Sequence, residues 1–180
     1  MILASRSPQR RAILEQLGVE FRVVPPEVEE VTGGDARAVA LENAVRKARA
    51  VDGERVLGVD TEVVLDGRVF GKPADAGEAE TFLRRLSGRG HEVISGIALR
   101  GPHGDERTNV AVTRVRFRLL EQRDIDWYVK SGEWRDRAGG YAIQGRGAAL
   151  VSEIEGDYWN VVGLPVAALV ELAPDLIRSS

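Results

Sequence analysis

The sequence predicts an α/β fold, and three observations carry that expectation. Short apolar, β-branched runs alternate with amphipathic or alanine-rich stretches along the whole chain, as strands exchanging with helices do. Helix-start signals stand where those stretches begin, at Ser7-Pro8 and at Asp75 to Glu78. The chain is 180 residues long, enough for one sizeable core or two small lobes sharing one. It contains no repeat, low-complexity tract or long linker, so residues 1–180 read as a single domain.

Residues 2–4 form a short buried strand in this reading. A helix follows with Ser7 as its N-cap and Pro8 at its first position, an apolar stripe of Ile13, Leu14 and Leu17, and Gly18 as its stop. Residues 19–24 are a second strand and 25–30 a loop. A long alanine-rich helix runs from about Asp35 to Asp52 and ends at Gly53. Val56 to Val59 is a buried strand ending in Asp60, and residues 63–70 form a hairpin turning at Asp66-Gly67. A helix to Leu86 comes next, then strands over about 92–100 and 106–118. A helix over 121–131, a glycine-rich stretch from Gly139 to Gly147, an apolar run at 149–154 and a helix from Pro165 to Leu172 complete the chain.

Composition excludes several classes of function. No apolar run approaches the roughly 18 residues that span a bilayer, and the N-terminus has no signal-peptide pattern. The absence of cysteine removes disulfides and thiolate chemistry and fits a reducing cytoplasm. A net charge of −3 without a long basic block argues against a general nucleic-acid binder. Of the 25 basic residues only Lys47, Lys72 and Lys130 are lysines, which singles them out as candidate phosphate ligands.

Four constellations could carry chemistry. Ser5 to Arg11 runs a strand directly into a helix N-terminus, a natural seat for a phosphate, here with the Ser5 and Ser7 hydroxyls and two or three of the guanidinium groups of Arg6, Arg10 and Arg11 as donors. A plain cap with solvated arginines is the alternative. Asp60 stands at the carboxyl end of a buried strand, where open α/β sheets place their ligands. One of Glu27, Glu29 and Glu30 meeting Asp60 would make a hard-oxygen site for Mg²⁺ or Mn²⁺, although no spacing requires them to meet. Lys72 is pinned between Gly71 and Pro73, and Lys47 lies on a helix whose default reading is a solvated face. In the glycine-rich stretch Gln144 offers an amide able to read a base edge. His91 is read as orienting a loop, His103 as solvated, and Trp127 and Trp134 as core or interface residues.

Taken in order, these segments resemble the Maf (septum-formation) family of nucleotide pyrophosphatases. The matching pieces are Leu3 to Arg10, Lys47-Ala48, Gly58-Val59-Asp60-Thr61, Gly71-Lys72-Pro73 and Leu86-Ser87-Gly88 with His91. Gly132-Glu133, Ala138 to Gly145 and Gly156-Asp157-Tyr158 through Pro165 extend the match over nearly the whole chain. Arg137 and Ser95 stand where the family more often has Lys and Thr.

The resemblance implies a two-lobed, inosine-triphosphate-pyrophosphatase-like fold with a central cleft. It also implies cleavage of a nucleoside triphosphate between its α and β phosphates, dependent on Mg²⁺ or Mn²⁺. Asp60 matches the family's catalytic acidic residue, described as the proton acceptor, and Asp60 with Glu30 makes the candidate metal-ligand pair. Ser5, Arg10, Glu30, Lys47 and Lys72 match positions expected to hold metal and phosphates, with Lys47 and Lys72 counted in the catalytic set. At three selectivity positions the dTTP/UTP branch carries Arg, Thr and Gln, whereas the 7-methyl-GTP branch carries Trp, Gln and Glu. This chain has Gln9, Thr61 and Gln144, which indicates dTTP and UTP as substrates. A homodimer is a further family-level expectation. A different class of function, a nucleotide-sensing regulator of cell division acting through protein contacts, stands as the alternative.

Overall fold

The computed structural model describes residues 1–177. It is mixed α/β. Seven strands, β1 (Ile2–Ala4), β2 (Arg22–Val23), β3 (Val56–Leu65), β4 (Arg68–Phe70), β5 (Gly90–Arg100), β6 (Glu106–Phe117) and β7 (Val151–Glu155), join in the order β2-β1-β3-β5-β6-β7, with β4 paired to β3. The helices are α1 (Pro8–Gln16), α2 (Ala36–Arg49), α3 (Ala76–Leu86), α4 (Gln122–Ser131), α5 (Tyr158–Val162) and α6 (Val166–Leu172). The sheet is mixed: β1 pairs in parallel with β2 and β3, while β3–β4 and β6–β7 are antiparallel. No described helix is long and apolar enough to cross a membrane.

The chain divides into two compact units. The first comprises, among the described residues, Met1–Thr61, Ile94–Ala111 and 163–177; the second comprises Glu62–Val93 and Val112–Val162. In the first unit, α1 starts as its sequence dictates, with Ser7 capping and Pro8 in the first turn. It ends in a Schellman motif: the Val19 amide donates to Leu14 O and the Gly18 amide to Glu15 O, with Gly18 at φ 69°. Val19 and Leu14 are both buried there.

That cap uses the first residues expected in a strand over 19–24, which is why only Arg22–Val23 pair with β1. α2 stops at Arg49 rather than at Asp52, because Val51 leaves the helix to pack with Ile2, Ala4 and Val56.

α2 lies directly on the strands. Ala40, Ala44 and Ala48, spaced by four, are fully buried along its underside. A Cβ at Gly58 of β3 would run into the carbonyl oxygen of Ala44, and one at Gly96 of β5 into that of Ala40. Helix and strand backbones touch at these two glycines, and this close approach fixes which α2 side chains meet β3.

In the second unit an apolar cluster includes Val63, Phe82, Leu86, Val115, Phe117 and Tyr128. α3 supplies Ala79, Phe82, Leu83 and Leu86 at helical spacing, with Asp75 capping it through the Glu78 amide at 2.8 Å. The Asp66-Gly67 hairpin forms as expected, both residues at positive φ. Among the α-helices and strands of the described residues, α5 has no counterpart in the sequence reading.

Candidate active site

β3 does not end at Asp60. It runs on through Thr61 to Leu65, because no breaker separates Asp60 from the β-branched residues that pair with β4. Asp60 is therefore a mid-strand carboxylate, only 7% exposed, among buried apolar neighbours. Such a group requires partners. Oδ1 accepts from Lys47 Nζ at 2.6 Å, and Oδ2 accepts from Asn43 Nδ2 at 3.2 Å.

Both donors come from α2, at positions 43 and 47, one turn apart on the face that the two glycines press against the strands. The default reading of Lys47 as a solvated helix residue is thus corrected. Its side chain is buried, and Nζ lies 2.6 Å from Glu30 Oε1 as well as 2.6 Å from Asp60.

Among the three loop glutamates, Glu30 is the one that reaches Lys47; Glu27 and Glu29 are exposed. The approach is arranged by Asn43. Its Oδ1 accepts from the Val31 amide at 2.7 Å, and its Nδ2 donates to Val31 O at 3.0 Å, pinning the residue next to Glu30. Sequence reasoning missed Asn43. Its signal was available: a polar side chain four residues before Lys47, on the alanine face of an otherwise amphipathic helix.

Arg10 closes the group from α1. Its Nε donates to Gly163 O at 2.8 Å, one terminal nitrogen to Ser5 Oγ at 3.2 Å and the other to Thr61 Oγ1 at 3.1 Å. Thr61 Oγ1 also lies 2.9 Å from Ser95 Oγ, and Ser95 is fully buried. Burial lowers the Arg10 pKa below its ordinary value, against the opposing pull of Asp60 and then Glu30. The Ser5 oxygen accepts the Ser7 amide at 3.1 Å, and the Ser7 hydroxyl donates to Gln9 Oε1 at 3.0 Å. Arg11 turns away to an exposed pair with Glu15.

Ser5, Ser7, Gln9, Arg10, Glu30, Lys47, Asp60 and Thr61 all belong to the first unit. Lys72 and Gln144 belong to the second, where both are exposed. The loop bearing Lys72 is tied to the glycine-rich segment by the Gly139 amide, which donates to Gly71 O at 3.0 Å. Gly139 sits at φ 71°, and a Cβ there would come within 2.9 Å of Val63 Cγ1. His91 orients this segment, as expected: Nε2 lies 2.8 Å from Tyr141 Oη, while the Tyr128 hydroxyl oxygen accepts the Ala142 amide at 2.8 Å. His103 is exposed and Trp134 is a core residue.

Among the described residues no three or more His, Asp or Glu side chains gather in metal-binding fashion. Glu30 and Asp60 nevertheless converge on one point, marked by the Lys47 ammonium. Two carboxylates suit Mg²⁺ or Mn²⁺, which complete their shells with water and phosphate oxygens rather than a full protein cage.

The fold and the site define a mixed α/β protein with a buried carboxylate–lysine–arginine centre. The profile of the family described as Maf-like protein matches residues 1–176, and the chain belongs to that family. It is 51% identical over 179 residues to a dTTP/UTP pyrophosphatase of Symbiobacterium thermophilum, covering 96% of this chain and 91% of the relative. A dTTP/UTP pyrophosphatase of Thermus thermophilus is 50% identical over 173 residues, with 96% and 92% covered. Among solved structures, a HAM1 protein from Coxiella burnetii is similar at 21% identity and a TM-score of 0.49, covering 83% of this chain and 90% of that one.

Proposed function

We propose that this chain is a nucleoside triphosphate pyrophosphatase that hydrolyses dTTP and UTP, and modified pyrimidine nucleotides, to the monophosphate and pyrophosphate. The names of its relatives support the reaction class. The observation that carries the reading is the Lys47 ammonium held 2.6 Å from both Glu30 and Asp60. Attack on a triphosphate requires its negative charge to be offset and a proton to be taken from water, and this group provides cations and a carboxylate together.

Water attacks phosphorus at the α–β anhydride, the bond to the bridging oxygen breaks, and pyrophosphate leaves. Asp60 accepts the water proton, held in one orientation by Lys47 and Asn43. Arg10 and Lys72 bind phosphate oxygens, with Ser5 and Ser7 as hydroxyl donors. Glu30 and Asp60 would hold Mg²⁺ or Mn²⁺, which when bound neutralises triphosphate charge. Thr61 and Gln144 set the base preference, and Gln9 contributes an amide where the dTTP/UTP branch has arginine. Homodimerisation, carried over from the family resemblance, and a cytoplasmic location, which the cysteine-free sequence fits, are parts of the same proposal.

The test is a nucleotide panel incubated with Mg²⁺ or Mn²⁺, scoring monophosphate and pyrophosphate. dTTP and UTP should be cleaved. If both stay intact while another nucleotide is consumed, the substrate assignment is wrong, and if none is consumed the reaction class is wrong.

A further inference from the structure

Arg137 is the most anomalous charge in the second unit. Its side chain is half-buried, and its Nε is shielded from solvent without a hydrogen-bond partner. No ion pair or aromatic face takes up its guanidinium among the described residues, although Arg135 stacks on Trp134 and Arg146 on Trp127 nearby. Burial lowers its pKa, opposed by the electrostatic influence of Tyr128, then Asp136 and Glu133. A guanidinium whose Nε is shut off from water without a partner is unfavourable in the free protein, and an anion bound at that edge relieves the cost.

Its place in the chain indicates which anion. Arg137 opens the turn Ala138–Gly140, and the Gly140 amide closes that turn onto Arg137 O at 3.0 Å. Within the same turn the Gly139 amide bonds Gly71 O, one residue before Lys72. A Cβ on Gly140 would stand 3.4 Å from Pro73 Cγ, one residue after Lys72. Two backbone segments joined side by side therefore each carry a cation, and neither cation has an acidic partner among the described residues. The glycines at 139 and 140, both at positive φ, hold the turn in that contact.

We propose that Arg137 is a substrate-binding residue that acts with Lys72 to hold phosphate oxygens of the nucleoside triphosphate and of the pyrophosphate product. The assignment rests on the pyrophosphatase reading for its substrate and extends that reading to a residue outside the predicted set. A guanidinium fork pairs two oxygens at fixed geometry, whereas the neighbouring ammonium acts as a point charge, so the pair suits a polyphosphate better than a single carboxylate.

The experiment uses the full chain and inorganic pyrophosphate as the probe, comparing wild type with Arg137→Gln and Arg137→Lys. Pyrophosphate should raise the wild-type melting temperature, Arg137→Gln should abolish that rise, and Arg137→Lys should keep part of it. KM for dTTP and the inhibition constant of pyrophosphate should each rise about 10- to 100-fold in Arg137→Gln, the loss expected of a charge-assisted hydrogen bond. Without ligand, Arg137→Gln should melt close to the wild type, since the Arg137 Nε has no hydrogen bond to lose.

The inference is overturned if wild type does not respond to pyrophosphate, or if Arg137→Gln keeps the thermal rise with both constants within twofold. A ligand-free melting point several degrees lower in both variants would also overturn it, by assigning Arg137 to the scaffold. A wild-type protein that binds pyrophosphate through Arg137 yet leaves dTTP and UTP intact would refute the pyrophosphatase reading and leave this site standing.

Discussion

Asp60 is held by two donors of different kind, and that makes its replacement informative. In Asp60→Asn one oxygen becomes an NH₂ group. Whichever way the amide turns, it faces either the Lys47 ammonium or the Asn43 amide donor, so one of the two hydrogen bonds is lost. The stability cost should be about 1–3 kcal/mol, measured by urea unfolding. On the proposed role of Asp60 as proton acceptor, the loss in kcat should be on the order of 10²–10⁴. A variant that still releases pyrophosphate at more than a tenth of the wild-type rate would remove Asp60 from that role. His91 makes a prediction about pH instead. Packed edge-on against Phe117 and Tyr141 at ring separations of 5.0 and 5.5 Å, it is pushed by burial from 6.5 down to about 4. The unfolded chain binds the imidazole proton first as pH falls. The stability due to neutral His91 is therefore complete above pH 6.5 and is lost progressively between 6.5 and about 4. At 1.36 kcal/mol per pH unit that window corresponds to about 3 kcal/mol. Urea midpoints at pH 7 and 4.5 should diverge in the wild type and diverge less in His91→Gln; equal divergence in both would assign the acid sensitivity to other groups.

At the scale of elements, the site depends on how closely α2 approaches β3 and β5. Gly58→Ala would drive a methyl group into the Ala44 carbonyl, a backbone atom that cannot rotate away. Overpacking of this kind costs roughly 3 kcal/mol, and the helix must lift before the methyl fits. The variant should melt well below the wild type and lose activity as Lys47 and Asn43 retreat from Asp60. An unchanged melting temperature would show that α2 is free to shift. Helix starts were legible in the sequence because caps are local: Ser7, Asp35 and Asp75 each bond an amide three residues on. The burial of Lys47 was not. Alanine contributes little to a hydrophobic pattern, so the underside of α2 does not stand out. The glycines that receive it lie at positions 58 and 96, far from it in the chain. The extent of β3 was misjudged for a related reason: an aspartate reads as a strand end unless its partners on another element are known.

Across the whole molecule, the residues that meet around Asp60 come from positions 10, 30, 43, 47, 61 and 95, and no local spacing encodes such a meeting. The ordered resemblance to a family supplied most of them, while Asn43, which acts by pinning a loop and orienting a carboxylate, emerged only from coordinates. The same distribution determines what a metal can and cannot do for this protein. The apolar clusters around Ile2 and Val56, around Ala44 and Ala98, and around Phe82 and Phe117 are built without any metal ligand. The carboxylates at 30 and 60 are already bridged by Lys47. A cation bound at those two groups would add little to folding, unlike a structural metal whose ligands converge only when it is present. Chelation with EDTA should therefore abolish dTTP hydrolysis while shifting the thermal midpoint by no more than about 2 °C, on the order of 0.5–1 kcal/mol for a protein of this size. Restoring Mg²⁺ or Mn²⁺ should restore turnover without refolding. Hydrolysis that persists in excess EDTA would exclude the metal from the reaction, and a large loss of stability would show that it holds the fold as well.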